Sequence, residues 1–250
     1  MMFHVKPHGE SPFCAEPLSR LSIQRALLLH GIVATEDQSE SLARHAAMVL
    51  DANREFNLTR ISDPADVEML HVVDSALAVA AVATAPRGPI ADLGSGPGYP
   101  GIVVAILTGR PTVLVESVRK KANFLERVAT ALDIDVRVYP DRAEDLARAR
   151  PGTFACVIAR ALAPLPSLVE LAAPLLSDEG RLVAMKARPA EEELRSGLEA
   201  ARLCGMSLVE ERPIALSPAH LRTAVVYERI GPSTIALPRR IGLAQRAPLA

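Results

Sequence analysis

Residues 90–101 read IADLGSGPGYPG, a single carboxylate at Asp92 followed by glycines at 94, 96, 98 and 101. Glycines this dense let the chain turn tightly and present backbone amides, rather than side chains, to whatever occupies the turn. Pro89, Ile90, Ala91 and Leu93 read as the end of an apolar strand, and Pro100 suits the first turn of a helix with an apolar body from Ile102 to Leu107. A glycine turn between a buried strand and a helix is where open α/β sheets hold nucleotide cofactors. A dinucleotide fingerprint requires glycine at position 99, which is Tyr99, and a phosphate loop requires a Gly-Lys-Ser or Gly-Lys-Thr ending that this stretch lacks. Asp92 repels phosphate but can accept from an ammonium or a hydroxyl. S-adenosylmethionine, with an amino-acid head and no phosphate, is therefore the expected ligand of Asp92, Gly94, Ser95, Gly96, Gly98 and Tyr99. A nicotinamide or flavin dinucleotide, and a turn with no ligand, are the alternatives.

Downstream, 111–116 reads as a second strand ending in Glu116, 22 residues after Gly94. That is close to the spacing at which an acid meets ribose hydroxyls. Ser117 is the expected cap of a helix with apolar Phe124, Leu125, Val128, Ala131 and Leu132. Its Arg119, Lys120 and Lys121 form either a solvated face or one turned to RNA. A third strand, 134–139, precedes a loop in which Arg142, Ala143 and Glu144 are placed to cover an adenine ring, Ala143 through its amide. A fourth, 154–159, delivers Arg160 to the sheet's C-terminal end, as a contact for cofactor carboxylate or substrate phosphate or as an ordinary surface arginine. Cys156 lies inside that strand as a core residue.

A helix over 165–176, a strand over 180–186, an acidic helix over 191–203 and strands at 208–214 and 222–229, separated by Pro213 and Pro218, complete the alternation. This pattern predicts an α/β, Rossmann-like, mostly parallel seven-stranded sheet. The expected organisation is a flexible leader at 1–17, a helical N-terminal extension at 18–85 packed on the core, a sheet domain carrying the cofactor turn at 86–232 and an extended basic tail at 233–250. The extension reads as three helices, the third running from Ala65 to Ala83 and carrying His71 and Asp74 as either a structural pair or active-site groups.

The chain has 250 residues, 49% of them hydrophobic, enough for one large domain with an appendage. Three cysteines, Cys14, Cys156 and Cys204, form no CxxC pair, which fits a reducing cytoplasm and no metal site. A formal net charge of −1 gives no global attraction to nucleic acid, so any RNA contact must be local. Arg160, Lys186, Lys120 and Lys121 are expected to converge at one sheet edge, with Arg239 and Arg240 on the tail, as contacts for a phosphate-rich substrate.

Phe56-Asn-Leu-Thr59, His71-Val-Val-Asp-Ser75, the 92–101 loop, Glu116-Ser-Val-Arg-Lys-Lys121, Arg142-Ala-Glu144, Arg160-Ala161 and Pro238-Arg-Arg240 with Arg246 occur in an order that resembles the bacterial 16S ribosomal RNA (guanine-N7) methyltransferases, the glucose-inhibited division protein B family. The resemblance implies a class I S-adenosylmethionine-dependent methyltransferase fold, and transfer to N7 of guanine 527 in the 530 loop of 16S ribosomal RNA within the small subunit. It further implies a cytoplasmic monomer. Leu70, Ala159 and Ala187 depart from residues common in the family. Guanine N7 has an in-plane lone pair and no proton, so alignment suffices and no catalytic base is expected. Methylation of another RNA guanine, and a non-catalytic RNA-binding assembly factor, are the alternatives.

Overall fold

The structure, a computed structural model, describes residues 16–250; most of the expected leader, including Cys14, lies outside the described residues. Two helices open it: α1 (Arg20–Leu29), capped by Ser19 Oγ, and α2 (Glu36–Glu55), which starts in a capping box between Thr35 and Gln38. Gln38 serves twice, because its Nε2 also donates to the carbonyls of Ile106 and Leu107. The cap thus docks α2 on the sheet domain.

The expected helix over 65–83 is instead broken into α3 (Pro64–Val67), a π turn (Glu68–Val73), α4 (Asp74–Ala76) and α5 (Val79–Val82). Competing partners explain the break. Glu68 Oε2 accepts from Leu18 N and Ser22 Oγ at 2.8 and 2.5 Å, His71 and Asp74 are buried among polar groups, and Ala78, Ala81 and Val82 pack on the sheet. A π turn changes the phase of a helix, so one run of chain can satisfy all three.

The sheet domain follows as β1 (Ile90–Leu93), α6 (Gly101–Thr108), β2 (Thr112–Val115), α7 (Arg119–Leu132), β3 (Val136–Tyr139), α8 (Ala143–Ala149) and β4 (Phe154–Arg160). It continues through α9 (Leu165–Ala172), β5 (Leu176–Lys186), α10 (Glu191–Leu203), β6 (Met206–Ser217) and β7 (His220–Arg229). The strand order is β3-β2-β1-β4-β5-β7-β6, parallel from β3 to β5 and antiparallel at β7 and β6. Period-two alternation splits the strands between two cores. Ala91, Leu93, Val157, Ala159, Leu182 and Ala184 face α8, α9 and α10, while Ile90, Cys156, Ile158, Val183 and Met185 face α5 and α6.

Other sequence expectations shift. Ser117 is not the cap of α7: the N-cap is Val118, whose N–H is taken by Glu116 Oε1 at 2.8 Å. The helix from 165 ends at Ala172, and the next strand starts at Leu176, four residues before the expected Gly180. Pro213 does not separate the last two strands but lies inside β6, where an edge position tolerates its missing N–H. The 233–250 segment is not extended. It folds back on α9, carrying the short α11 (Leu243–Arg246), with Ala244 buried and its carbonyl accepting from Ser167 Oγ at 2.7 Å.

Gly101 sets the closest approach of α6 to the sheet. A Cβ there would overlap Leu114 Cδ2 and lie 2.5 Å from Asp92 Oδ2. Gly101→Ala is therefore expected to cost about 1–3 kcal/mol in thermal or urea unfolding. Gly231→Ala, with no atom within 4 Å of the added methyl, should change stability by less than about 0.5 kcal/mol. Equal stability of the two variants would refute the close-packing account.

Candidate active site

The glycine loop follows β1, beside the C-terminal end of its neighbour β4, and two chambers open from it, sharing Gly94 and Gly96. The smaller, of about 180 Å³, runs between β2 and α8 and is walled by Val115, Leu162 and Leu171, with Glu116 and Ala143 at its margins. The larger, of about 600 Å³, lies under the N-terminal helices and is lined by His71, Tyr99, Arg160, Met185, Lys186 and Arg222, among others.

Glu116 holds the loop to β2. Its Oε2 accepts from Gly96 N at 2.9 Å while Oε1 takes Val118 N. Gly96 itself has φ +54, in the left-handed region that suits glycine. Asp92 supports the loop from beneath: it has no exposed surface, lines neither chamber, and accepts Gly101 N at 3.0 Å through Oδ2. This arrangement makes Asp92 a support for the loop, in place of the direct ligand contact expected of it. Burial pushes its carboxyl up to about 7, against the hydrogen bond from Gly101, and Oδ1 has no protein partner; Ser95 Oγ donates to the Asp92 main-chain carbonyl at 3.0 Å.

The small chamber fits adenosine. Apolar walls suit a purine, and the Glu116 carboxylate retains lone pairs for a diol. Asp141, Glu144 and Glu116 around the same space disfavour a diphosphate, despite Lys121 and Arg142. Ala143 starts α8 beside this chamber, and the Glu144 carboxylate is engaged by Gly242 N at 2.6 Å.

In the large chamber Asp74 is the hub. Its carboxylate accepts from Arg160 Nη1 at 3.0 Å and from Arg222 Nε at 3.0 Å. Arg160 also donates to Leu70 O at 2.9 Å and approaches His71 Nδ1 at 3.3 Å. A guanidinium only donates, so Nδ1 is the acceptor, and the ring carries its proton on Nε2, 2.9 Å from Thr59 Oγ1. Burial and the Arg160 charge lower the His71 pKa to about 3. Tyr99 is stacked on His71, with centroids 4.6 Å apart and planes at 12°, and is flanked on its other side by His45, which sits 2.8 Å from Pro97 O. His45 is wholly buried, which lowers its pKa to about 4.

The remaining expected substrate contacts differ in availability. Lys186 lines the large chamber but pairs with Glu193 at 2.7 Å. Lys121 borders the small chamber, whereas Lys120 and Arg240 are exposed and border neither. Arg239 is taken up by the buried Glu170 at 2.7 and 2.5 Å, so its expected role at phosphate gives way to a structural one. Burial of Cys156 pushes its thiol up to about 12 and removes it from nucleophilic chemistry. Sequence reasoning missed Arg222 and Gln245, each beside a chamber, because neither stands in a local motif.

The profile of GidB, rRNA small subunit methyltransferase G, matches residues 38–214. The ribosomal RNA small subunit methyltransferase G of Desulfitobacterium hafniense is 35% identical over 94% of this chain and 97% of its own length. That of Roseiflexus castenholzii is 36% identical over 88% and 95%. The chain belongs to this family. It is thereby a methyltransferase, and its fold agrees. M. jannaschii TYW2 in complex with AdoMet superposes with a TM-score of 0.52 at 15% identity, over 64% of this chain and 76% of that one. Geranyl diphosphate methyltransferase in complex with GPP and sinefungin gives 0.54 at 15%, over 72% and 84%. No helix among the described residues is long and apolar enough to cross a membrane.

Three of the buried groups with shifted pKa values, His45, His71 and Asp92, titrate in the acid range and set a pH dependence. Between pH 6.5 and 4 the unfolded chain protonates His45 and His71 while the fold keeps both neutral, so acid favours unfolding by two protons. Asp92 opposes this, because it protonates near 7 in the fold and near 3.8 when unfolded, returning one proton to the folded side. Stability is expected to fall by about 1.4 kcal/mol per pH unit across that window from these groups. Asp92→Asn should roughly double the slope in urea unfolding at stepped pH; an unaltered slope would mean that Asp92 is ionised in the fold.

Proposed function

We propose that this methyltransferase uses S-adenosylmethionine to methylate N7 of guanine 527 in the 530 loop of 16S ribosomal RNA, in the context of the small subunit. The observation that carries this reading is the meeting of an adenosine-shaped chamber and a larger, cation-lined chamber at the shared Gly94–Gly96 turn. The agreement of the family profile with most of the chain supports an RNA substrate, and the motif resemblance, which reaches from the N-terminal helices to the tail, supports the particular guanine.

Bound at the turn, S-adenosylmethionine supplies an electrophilic methyl group on a sulfonium. Glu116 would receive the ribose hydroxyls on its remaining lone pairs, and Asp92 keeps the turn in shape from below; the N–H groups of Gly94, Ser95, Gly96 and Gly98 are taken by Val115 O, Val115 O, Glu116 Oε2 and Ser95 O, so the turn would meet the donor through its shape and its lack of side chains. On the acceptor side the protein has no proton to remove from guanine N7, and His71, neutral and hydrogen-bonded on both nitrogens, has no free base function. Its work is positional: it holds Tyr99 and Arg160 in place. Three of the five Arg160 N–H donors go to Leu70, Asp74 and His71, which leaves two for guanine O6 or a flanking phosphate. Ile61, Leu70 and Met185 supply the apolar surface on which a base extruded from its stack can rest.

Gly96→Asp inserts a charged side chain at a left-handed position beside the donor. Calorimetry should show S-adenosylmethionine affinity reduced by about tenfold or more with the thermal transition retained; unchanged affinity refutes the placement. The target is tested by mapping chemical cleavage at N7-methylguanine across ribosomal RNA from cells lacking the gene. The 530-loop signal should vanish and return with the wild-type copy but not with Gly96→Asp. Persistence of the signal without the gene would rule out guanine 527, and return with the variant would point to a non-catalytic factor.

A further inference from the structure

The adenosine chamber is not built by the sheet domain alone. Gln245, on α11, stands at its edge with Leu171 and Ala143, 85 residues beyond the last β4 residue in sequence. Its exposure is open, and among the described residues no protein hydrogen bond engages its amide. The segment that carries it is tightly held. Arg239 forms a two-pronged pair with Glu170 on α9, Gly242 N donates to Glu144 on α8, and Ser167 Oγ donates to Ala244 O at 2.7 Å. Ala244, the neighbour of Gln245, is 1% exposed. The backbone at 245 is thus fixed over the chamber within one residue of a buried anchor.

We propose that Gln245 is an adenine-recognising residue of the donor site, and that the 238–249 segment is a roof over that site held down by the Arg239–Glu170 and Gly242–Glu144 contacts. The inference rests on the donor reading given above. A glutamine amide matches adenine, since its oxygen accepts from the N6 amine while its nitrogen donates to a neighbouring ring nitrogen. The latch explains why two buried or nearly buried carboxylates, Glu144 and Glu170, face the tail rather than solvent. It also explains why Arg239, in a run that reads as an RNA-binding tail, is withdrawn from phosphate.

The test is calorimetric binding of S-adenosylhomocysteine and of its analogue lacking the N6 amine, to the full chain and to Gln245→Ala. Residue 245 is exposed, so the variant should keep the wild-type thermal transition. Loss of one neutral hydrogen-bonding group should weaken S-adenosylhomocysteine by about fivefold. The penalty for removing the amine should shrink by a similar factor in Gln245→Ala, the coupling expected of two groups in contact. The paired variant Arg239→Met/Glu170→Leu, which removes the latch without stranding a buried charge, should weaken both ligands alike. If the wild type binds neither ligand, the donor reading falls and this inference with it. If the wild type binds and Gln245→Ala matches it on both ligands, or raises only the KM for RNA, the donor reading stands and this inference is overturned.

Discussion

The arrangement of the large chamber depends on one buried carboxylate. Asp74 is 3% exposed and takes guanidinium groups from the end of β4 and from β7. A lone charge there would cost several kcal/mol, and removing either arginine would leave a poorly compensated ion. The three groups therefore fix one another, and with them the π turn, the sheet edge and the β6–β7 hairpin. Two guanidiniums on one carboxylate also leave a positive charge over. Because His71 stays neutral and Glu193 cancels Lys186, that excess is the main cationic character of the chamber, and it is held in place rather than carried on flexible side chains.

The two chambers differ in the charge that lines them. Carboxylates of Glu116, Asp141 and Glu144 ring the smaller space, whereas Arg160, Arg222 and Lys186 line the larger. A ligand with a diol and no phosphate is at ease in the first, and a phosphodiester in the second. Both meet at Gly94 and Gly96, so the turn that shapes one chamber also walls the other.

The sheet, the glycine turn and Glu116 were legible in the sequence because their signals are local: an all-buried IADL strand, glycines at fixed spacing, an acid closing the next strand. What sequence reasoning missed depends on distant partners. Asp74 meets Arg222 across 148 residues, and Arg239 meets Glu170 across 69, so neither pair leaves a pattern within any window that periodicity can read. The π turn was hidden for the same reason, since 65–83 has helical spacing until Glu68 is drawn to α1 and Asp74 to the sheet edge. Ser117 is the small-scale version of this effect: a good cap residue loses its place because the neighbouring Glu116 carboxylate already occupies Val118 N. Basic residues mislead in one further way. Arg239 and Arg240 are adjacent and alike in sequence, yet one is locked to a buried acid and the other is exposed, so charge along the chain does not measure charge available to a partner.

The N-terminal helices belong to the site rather than to its surroundings. Tyr99, inside the glycine loop, is packed between His71 of the π turn and His45 of α2, and His45 also holds the Pro97 carbonyl. A Cβ at Gly98 would lie 2.9 Å from His45 Nε2, so loop and helix approach as closely as glycine permits. The loop's conformation is consequently determined from two sides, by Asp92 and Glu116 from the sheet and by the two histidines from the extension. A charged His71 would meet Arg160 and lose its acceptor nitrogen, so packing and electrostatics both require its neutral ring. Shape in the glycine turn and charge in the large chamber are thereby set by the same contacts, and disturbing the extension must alter both.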